Sequence, residues 1–109
     1  MINYRGKTLI YKDKQMQFDY NINNAIQLNN TIIILFNYKD FPNDRQADNL
    51  QAFTINGKLI WKAKHPTNQS NDVYTEIIVE DNLKAYNCTG YSCKIDLNNG
   101  NIVESVFTK

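Results

Sequence analysis

The chain has 109 residues, of which 42% are apolar and 12% aromatic, and its formal net charge is +1. That length makes one domain, 1–109, whose core needs no disulfide or metal as a staple. No apolar run approaches the roughly 18 to 20 residues of a membrane helix, and a near-neutral charge supplies no field to draw the chain onto nucleic acid or an anionic membrane.

Apolar residues alternate with period two along most of the chain, and almost nowhere with the 3.6-residue period of a helix, so strands are expected throughout. The opening "M-I-N-Y-R-G-K" is basic, but the "T-L-I-Y" after it is too short for a signal peptide, and the chain reads as cytoplasmic. Residues 8–12 and 15–20 form a hairpin about Asp13 and Lys14, with Met16, Phe18 and Tyr20 on one face. Residues 25–28 and 31–37 flank Asn29-Asn30, a pair that tolerates the left-handed backbone of a tight turn. The second of these strands, "T-I-I-I-L-F-N", is apolar on both faces and should lie in the middle of the core.

Alternation stops over residues 38–49, where Pro42 and dense polar residues mark a loop of about a dozen residues, with one helical turn expected near 44–48. Loops this long in compact domains often carry function. Residues 50–55 and 58–63 enclose Asn56-Gly57, the strongest short hairpin signal in a sequence. A second polar stretch covers 64–72. Strands at 73–80 and 83–87 follow, joined by Asp81-Asn82, and the last pair, 91–97 and 102–108, is joined by "N-N-G-N".

The phrase "T-I-N-G-K-L-I-W" returns as "D-L-N-N-G-N-I-V", with Gly57 and Gly100 43 residues apart, close to the period of a four-stranded propeller blade. The segments "A-F-T-I-N-G-K-L-I-W" and "Y-S-C-K-I-D-L-N-N-G-N-I-V" resemble blade-type hairpins. A propeller ring typically needs 4 to 8 blades, more than this chain can build. The fold expected is therefore an all-β antiparallel meander of about ten short strands in two blade-like sheets, packed as a sandwich or strongly twisted, and not a closed propeller.

Little in the chain points to catalysis. His65, the sole histidine, precedes Pro66 in a polar loop with no nucleophile at a recognised spacing, and reads as an exposed loop residue. Cys88 and Cys93 match neither a zinc site nor a redox pair. Cys93 shares the parity of Tyr91 and Ile95 and reads as buried, Cys88 as exposed in a turn. Trp61 shares the parity of Leu59 and reads as core. No phosphate loop, dinucleotide fingerprint, zinc-protease or calcium-loop motif occurs, so no enzyme activity, cofactor or metal is expected.

The distinctive charge feature covers 66–82, which holds Asp72, Glu76, Glu80 and Asp81 without a single Lys or Arg. On a regular strand Asp72, Tyr74, Glu76, Ile78 and Glu80 share one face. That face would be a carboxylate ridge suited to a basic protein partner, and Asp40, Phe41, Asp44 and Asp48 in the long loop would extend it. A small, stand-alone, catalytically bare β domain of this kind resembles the immunity proteins of bacterial contact-dependent inhibition and related polymorphic toxin systems. The resemblance implies a cognate protein toxin as partner, in many cases a nuclease, whose active site the ridge would cover. Two other readings stay open. One is a small-ligand binder with its pocket between the sheets or under the 38–49 loop; the other is a structural or regulatory subunit that assembles, as a homo-oligomer or on a host, through its edge strands.

Overall fold

A computed structural model describes residues 2–108. Among them, eleven strands pair antiparallel and strictly in chain order: β1 (Ile2–Arg5), β2 (Thr8–Tyr11), β3 (Lys14–Gln17), β4 (Ile22–Leu28), β5 (Thr31–Phe36), β6 (Leu50–Thr54), β7 (Leu59–Lys62), β8 (Tyr74–Val79), β9 (Leu83–Asn87), β10 (Tyr91–Ile95) and β11 (Ile102–Phe107). They form three open sheets, β1-β2-β3, β4-β5-β6-β7 and β8-β9-β10-β11, none closed into a barrel. The all-β antiparallel meander expected from the sequence is present, with one sheet more than the two anticipated. The addition comes from β1, where only Ile2 and Tyr4 alternate; this strand turns at Gly6 (φ +59°) and pairs with the first hairpin.

Each turn follows local chemistry. Asn29 and Lys12 adopt positive φ at the β4–β5 and β2–β3 turns, and Gly57 (φ +88°) does so between β6 and β7. The loop after β5 begins with a 3-10 turn, Tyr38–Asp40, because the Asn37 side-chain oxygen accepts from the Lys39 N–H and caps it. This is the only helical turn among the described residues, so the one expected near 44–48 is absent and lies instead before Pro42. No helix of the described residues is long and apolar enough to cross a membrane.

The second sheet is apolar on both faces because it lies between the other two. Along β5, Ile32, Ile34 and Phe36 face the first sheet and join Leu9, Tyr11, Ile22 and Phe53, while Met16, Phe18 and Tyr20 pack against the rim of this cluster. Ile33 and Leu35 point the other way, and with Leu50, Ala52 and Trp61 meet Tyr74, Ile77, Leu83, Ala85, Cys93 and Ile95 of the third sheet. Strand alternation therefore produces two cores from one central sheet.

The repeated Asn-Gly phrase connects the second and third sheets. Trp61 is 6% exposed and its indole N–H donates to the Leu97 carbonyl at 2.8 Å. Gly100, in the second copy of the phrase, has φ +76° and lies so close to the ring that a Cβ there would stand 2.7 Å from Cε3 of Trp61. Its carbonyl also accepts from the Lys64 N–H at 3.0 Å. One hairpin's turn thus seats the other hairpin's tryptophan. Gly100→Ala should lower unfolding free energy in urea by about 2 kcal/mol, through left-handed strain and displacement of the indole; an unchanged midpoint would show that this contact is slack.

Candidate functional site

Residues 37–49, 63–73 and 88–90 meet where the second sheet joins the third, and buried polar side chains hold them. Asn49 is 0% exposed. Its amide NH2 donates to the carbonyls of Phe36 (3.0 Å) and Tyr74 (2.7 Å), and its side-chain oxygen accepts from the Tyr74 N–H (3.0 Å). Its own carbonyl accepts from the Phe36 N–H at 2.7 Å. One amide thereby satisfies backbone groups on β5 and β8 that the gap between the sheets would leave unpaired.

Asp72 is also fully buried. Its carboxylate accepts from the Thr67 N–H (3.1 Å), the Thr67 hydroxyl (2.6 Å) and the Asn87 side-chain amide, and its backbone carbonyl accepts from the Ala47 N–H. The Asn87 oxygen in turn accepts from Thr89 and from the Tyr91 N–H. Asp72 thus fastens the 64–72 segment onto the third sheet.

His65 is not the exposed loop residue expected from its neighbours, since its side chain is only 6% exposed. It stacks on Tyr74, with ring centroids 5.5 Å apart and planes at 19°. Nε2 lies 3.1 Å from an Asp48 oxygen, and Nδ1, buried without a hydrogen-bond partner, lies 4.0 Å from Asp72. Neither nitrogen hydrogen-bonds a hydroxyl or thiol among the described residues. Burial, and then the adjacent Cys93 thiol and Asp72 carboxylate, pushes the Tyr74 phenol well above its ordinary range. Burial likewise raises the Cys93 thiol. Both groups therefore stay neutral, and the Tyr74 hydroxyl donates to the Lys64 carbonyl. As its parity indicated, Cys93 is buried; Cys88 is exposed, and both are free.

The carboxylate ridge is not a surface. A bulge at Thr75 shifts the register between Tyr74, opposite Asn87, and Glu76, opposite Tyr86, so the chain does not alternate evenly through 72–80. Asp72 and Tyr74 point into the core while Glu76 and Glu80 are exposed. Glu76 belongs to the outer row Glu76, Tyr86, Ser92 and Val106, next to the row Ile78, Lys84, Lys94 and Glu104. Two lysines and a valine make that face mixed rather than acidic. In the long loop, Asp40 accepts from the Asn21 N–H (2.7 Å) and side-chain amide (3.0 Å), and the backbone contact first of all holds its carboxyl below its ordinary value. Asp44 pairs with Arg45 at 3.2 Å, Asp48 with His65, and Phe41 stacks on Tyr20 at 3.9 Å. Each loop carboxylate already has a partner within the chain.

Two clefts flank the long loop. One, of about 600 Å³, is polar and lined by residues including Asp48, Lys62, Lys64, His65 and Thr67. The other, of about 400 Å³, lies between the loop and the chain before β8; Phe41, Pro42, Ala47 and Val73 line it, with Tyr38, Lys39 and Arg45 at its charged and aromatic rim. The family model described as "Domain of unknown function (DUF7957)" matches residues 1–107. The chain belongs to this family. No curated protein and no solved structure matches it. Within this DUF7957 domain the sequence had marked the long loop but neither Asn49 nor Asn87, because in a chain so rich in Asn nothing local separates a buried amide from a turn residue.

Asn49→Ala removes three hydrogen bonds and strands the Tyr74 N–H and two carbonyls in the interior. It should cost about 3 kcal/mol or more in chemical denaturation. A loss below about 1 kcal/mol would mean that water reaches these groups and that the amide is no staple.

Proposed function

We propose that this domain is a protein-binding module and, more narrowly, an immunity protein that binds a cognate bacterial toxin and covers its active site. The observation that supports this reading is the 400 Å³ groove under the long loop. It has an apolar floor of Phe41, Ala47 and Val73, and a rim that carries Tyr38, Lys39 and Arg45. An apolar centre enclosed by polar and aromatic residues is the layout of a protein interface with one anchoring side chain. The groove sits on a loop fixed from beneath by Asn49 and Asp72, so contact costs little ordering entropy. The anticipated contact surface changes accordingly. Asp72 and Tyr74 support the site from inside and Phe41 belongs to its floor, while Asp40 and Asp44 do not line it and are engaged by Asn21 and Arg45.

Growth of cells that produce the protein encoded next to this gene, at a level at which that protein alone arrests them, tests the reading. Co-production of the wild-type chain should restore growth, and the double variant Tyr38→Ala/Arg45→Glu, altered only at exposed positions, should restore it at least about tenfold less well at equal soluble level. Failure of the wild type to protect would overturn the immunity assignment. Full protection by the double variant would remove the groove from the interface.

A further inference from the structure

We infer that the pocket under the segment following β3, where it packs over β5 and β6, binds an organic ammonium ion: a protonated alkylamine or the side chain of a lysine. The pocket holds about 170 Å³ and shares no lining residue with the two clefts beside the long loop. Phe36 and Phe53 of the second sheet form its buried side, and the half-buried Phe18 and Tyr20 close over them. The Phe18 ring lies 5.6 Å from Phe36 and 4.8 Å from Phe53, and Tyr20 lies 5.6 Å from Phe36, with planes inclined by 58°, 59° and 64°. Inclined rings build a concave wall rather than a flat stack, and each ring face carries the negative side of its quadrupole.

The polar groups of the pocket favour the same sign of charge. Gln51 stands on the face of β6 that carries Phe53 and is only 7% exposed. Its amide nitrogen donates to the Asp48 carbonyl at 2.7 Å, which fixes the orientation of the amide. Its oxygen accepts no hydrogen bond among the described residues, although an amide buried on an apolar face is costly unless both its ends are bonded. Asp19 is exposed at the mouth, and its carboxylate has neither an ion pair nor a hydrogen bond among the described residues. Gln17, beside it, has its oxygen committed to the Thr8 hydroxyl. No Lys or Arg lines the pocket; Lys7, whose carbonyl accepts from the Phe18 N–H, is not among its walls. An anion would therefore meet only acceptors and ring faces. A metal ion would find one carboxylate and one amide oxygen, and no group of three metal-ligating side chains occurs among the described residues. An alkylammonium satisfies every wall: its N–H groups reach Gln51 Oε1, its charge meets Asp19, and its methylenes lie against the rings.

Chemical-shift perturbation of the full chain by n-butylammonium chloride tests this. The backbone amides of Phe36, Gln51 and Phe53 and the Gln51 side-chain NH2 should shift together and saturate with a Kd of about 1–10 mM. Butanol, with the same chain and no charge, should bind at least about tenfold more weakly. Asp19→Lys changes an exposed position and should abolish the response while the spectrum stays that of a folded chain. Gln51→Leu should weaken binding about tenfold; if that variant does not fold, Asp19→Lys decides. Nα-acetyl-lysinamide separates the two sources of the ammonium group. Binding at least as tight as that of butylammonium assigns the pocket to a lysine of another protein, and weaker binding assigns it to a free amine. Absence of shifts up to about 100 mM butylammonium, equal affinity for butanol, or an undiminished response in Asp19→Lys would each overturn the inference.

Discussion

The buried Asn49 amide is the contact on which the rest of the structure depends. Two sheets that meet at an angle leave backbone N–H and C=O groups at the junction facing neither a neighbouring strand nor water, and each such group costs about as much as a lost hydrogen bond. Asn49 meets this need with one side chain, donating to Phe36 and Tyr74 and accepting from Tyr74. It acts as a short piece of strand between β5 and β8. The position is specific to an amide: an aspartate would present only acceptors to two carbonyls, and an apolar residue would fill the space and leave the polar groups stranded.

Around that staple the other features fall into place. Tyr74, fixed by it at the start of β8, is pressed against His65 and reaches the Lys64 carbonyl, while Asp72 ties down Thr67 and Asn87. The 37–49 loop is held at both its ends, by Asn37 at its 3-10 turn and by Asn49 at its exit. A loop anchored in this way presents a groove rather than a disordered tip. Apolar packing on both faces of the middle sheet supplies the bulk of the driving force, and the Asn49 amide ties β5 to β8 where the second and third sheets meet.

Much of this was legible from residue order. The hairpins at Asn29-Asn30, Asn56-Gly57 and Asp81-Asn82, the two-faced strand β5 and the burial of Cys93 follow from turn chemistry and alternation, which act over a few residues; Trp61 is buried although Leu59, whose parity it shares, is 45% exposed, because a register shift separates the two. What escaped needs contacts between distant segments. The bulge at Thr75 changes which residues of 72–80 face outward, and no residue type there announces it. His65 looks exposed from its polar neighbours, and becomes buried because Tyr74 supplies an aromatic face from another segment. The pocket under the long loop was foreseeable from loop length; its apolar floor was not, since Val73 comes from the chain leading into β8.

Native-state hydrogen exchange of the wild-type chain tests most directly whether the Asn49 junction makes the second and third sheets one cooperative unit. The account predicts that the slowest amides of β5, β6, β8 and β9 open together at a single free energy with the same denaturant dependence. Two separate opening energies, one for each sheet, would contradict it and reduce Asn49 to a local contact.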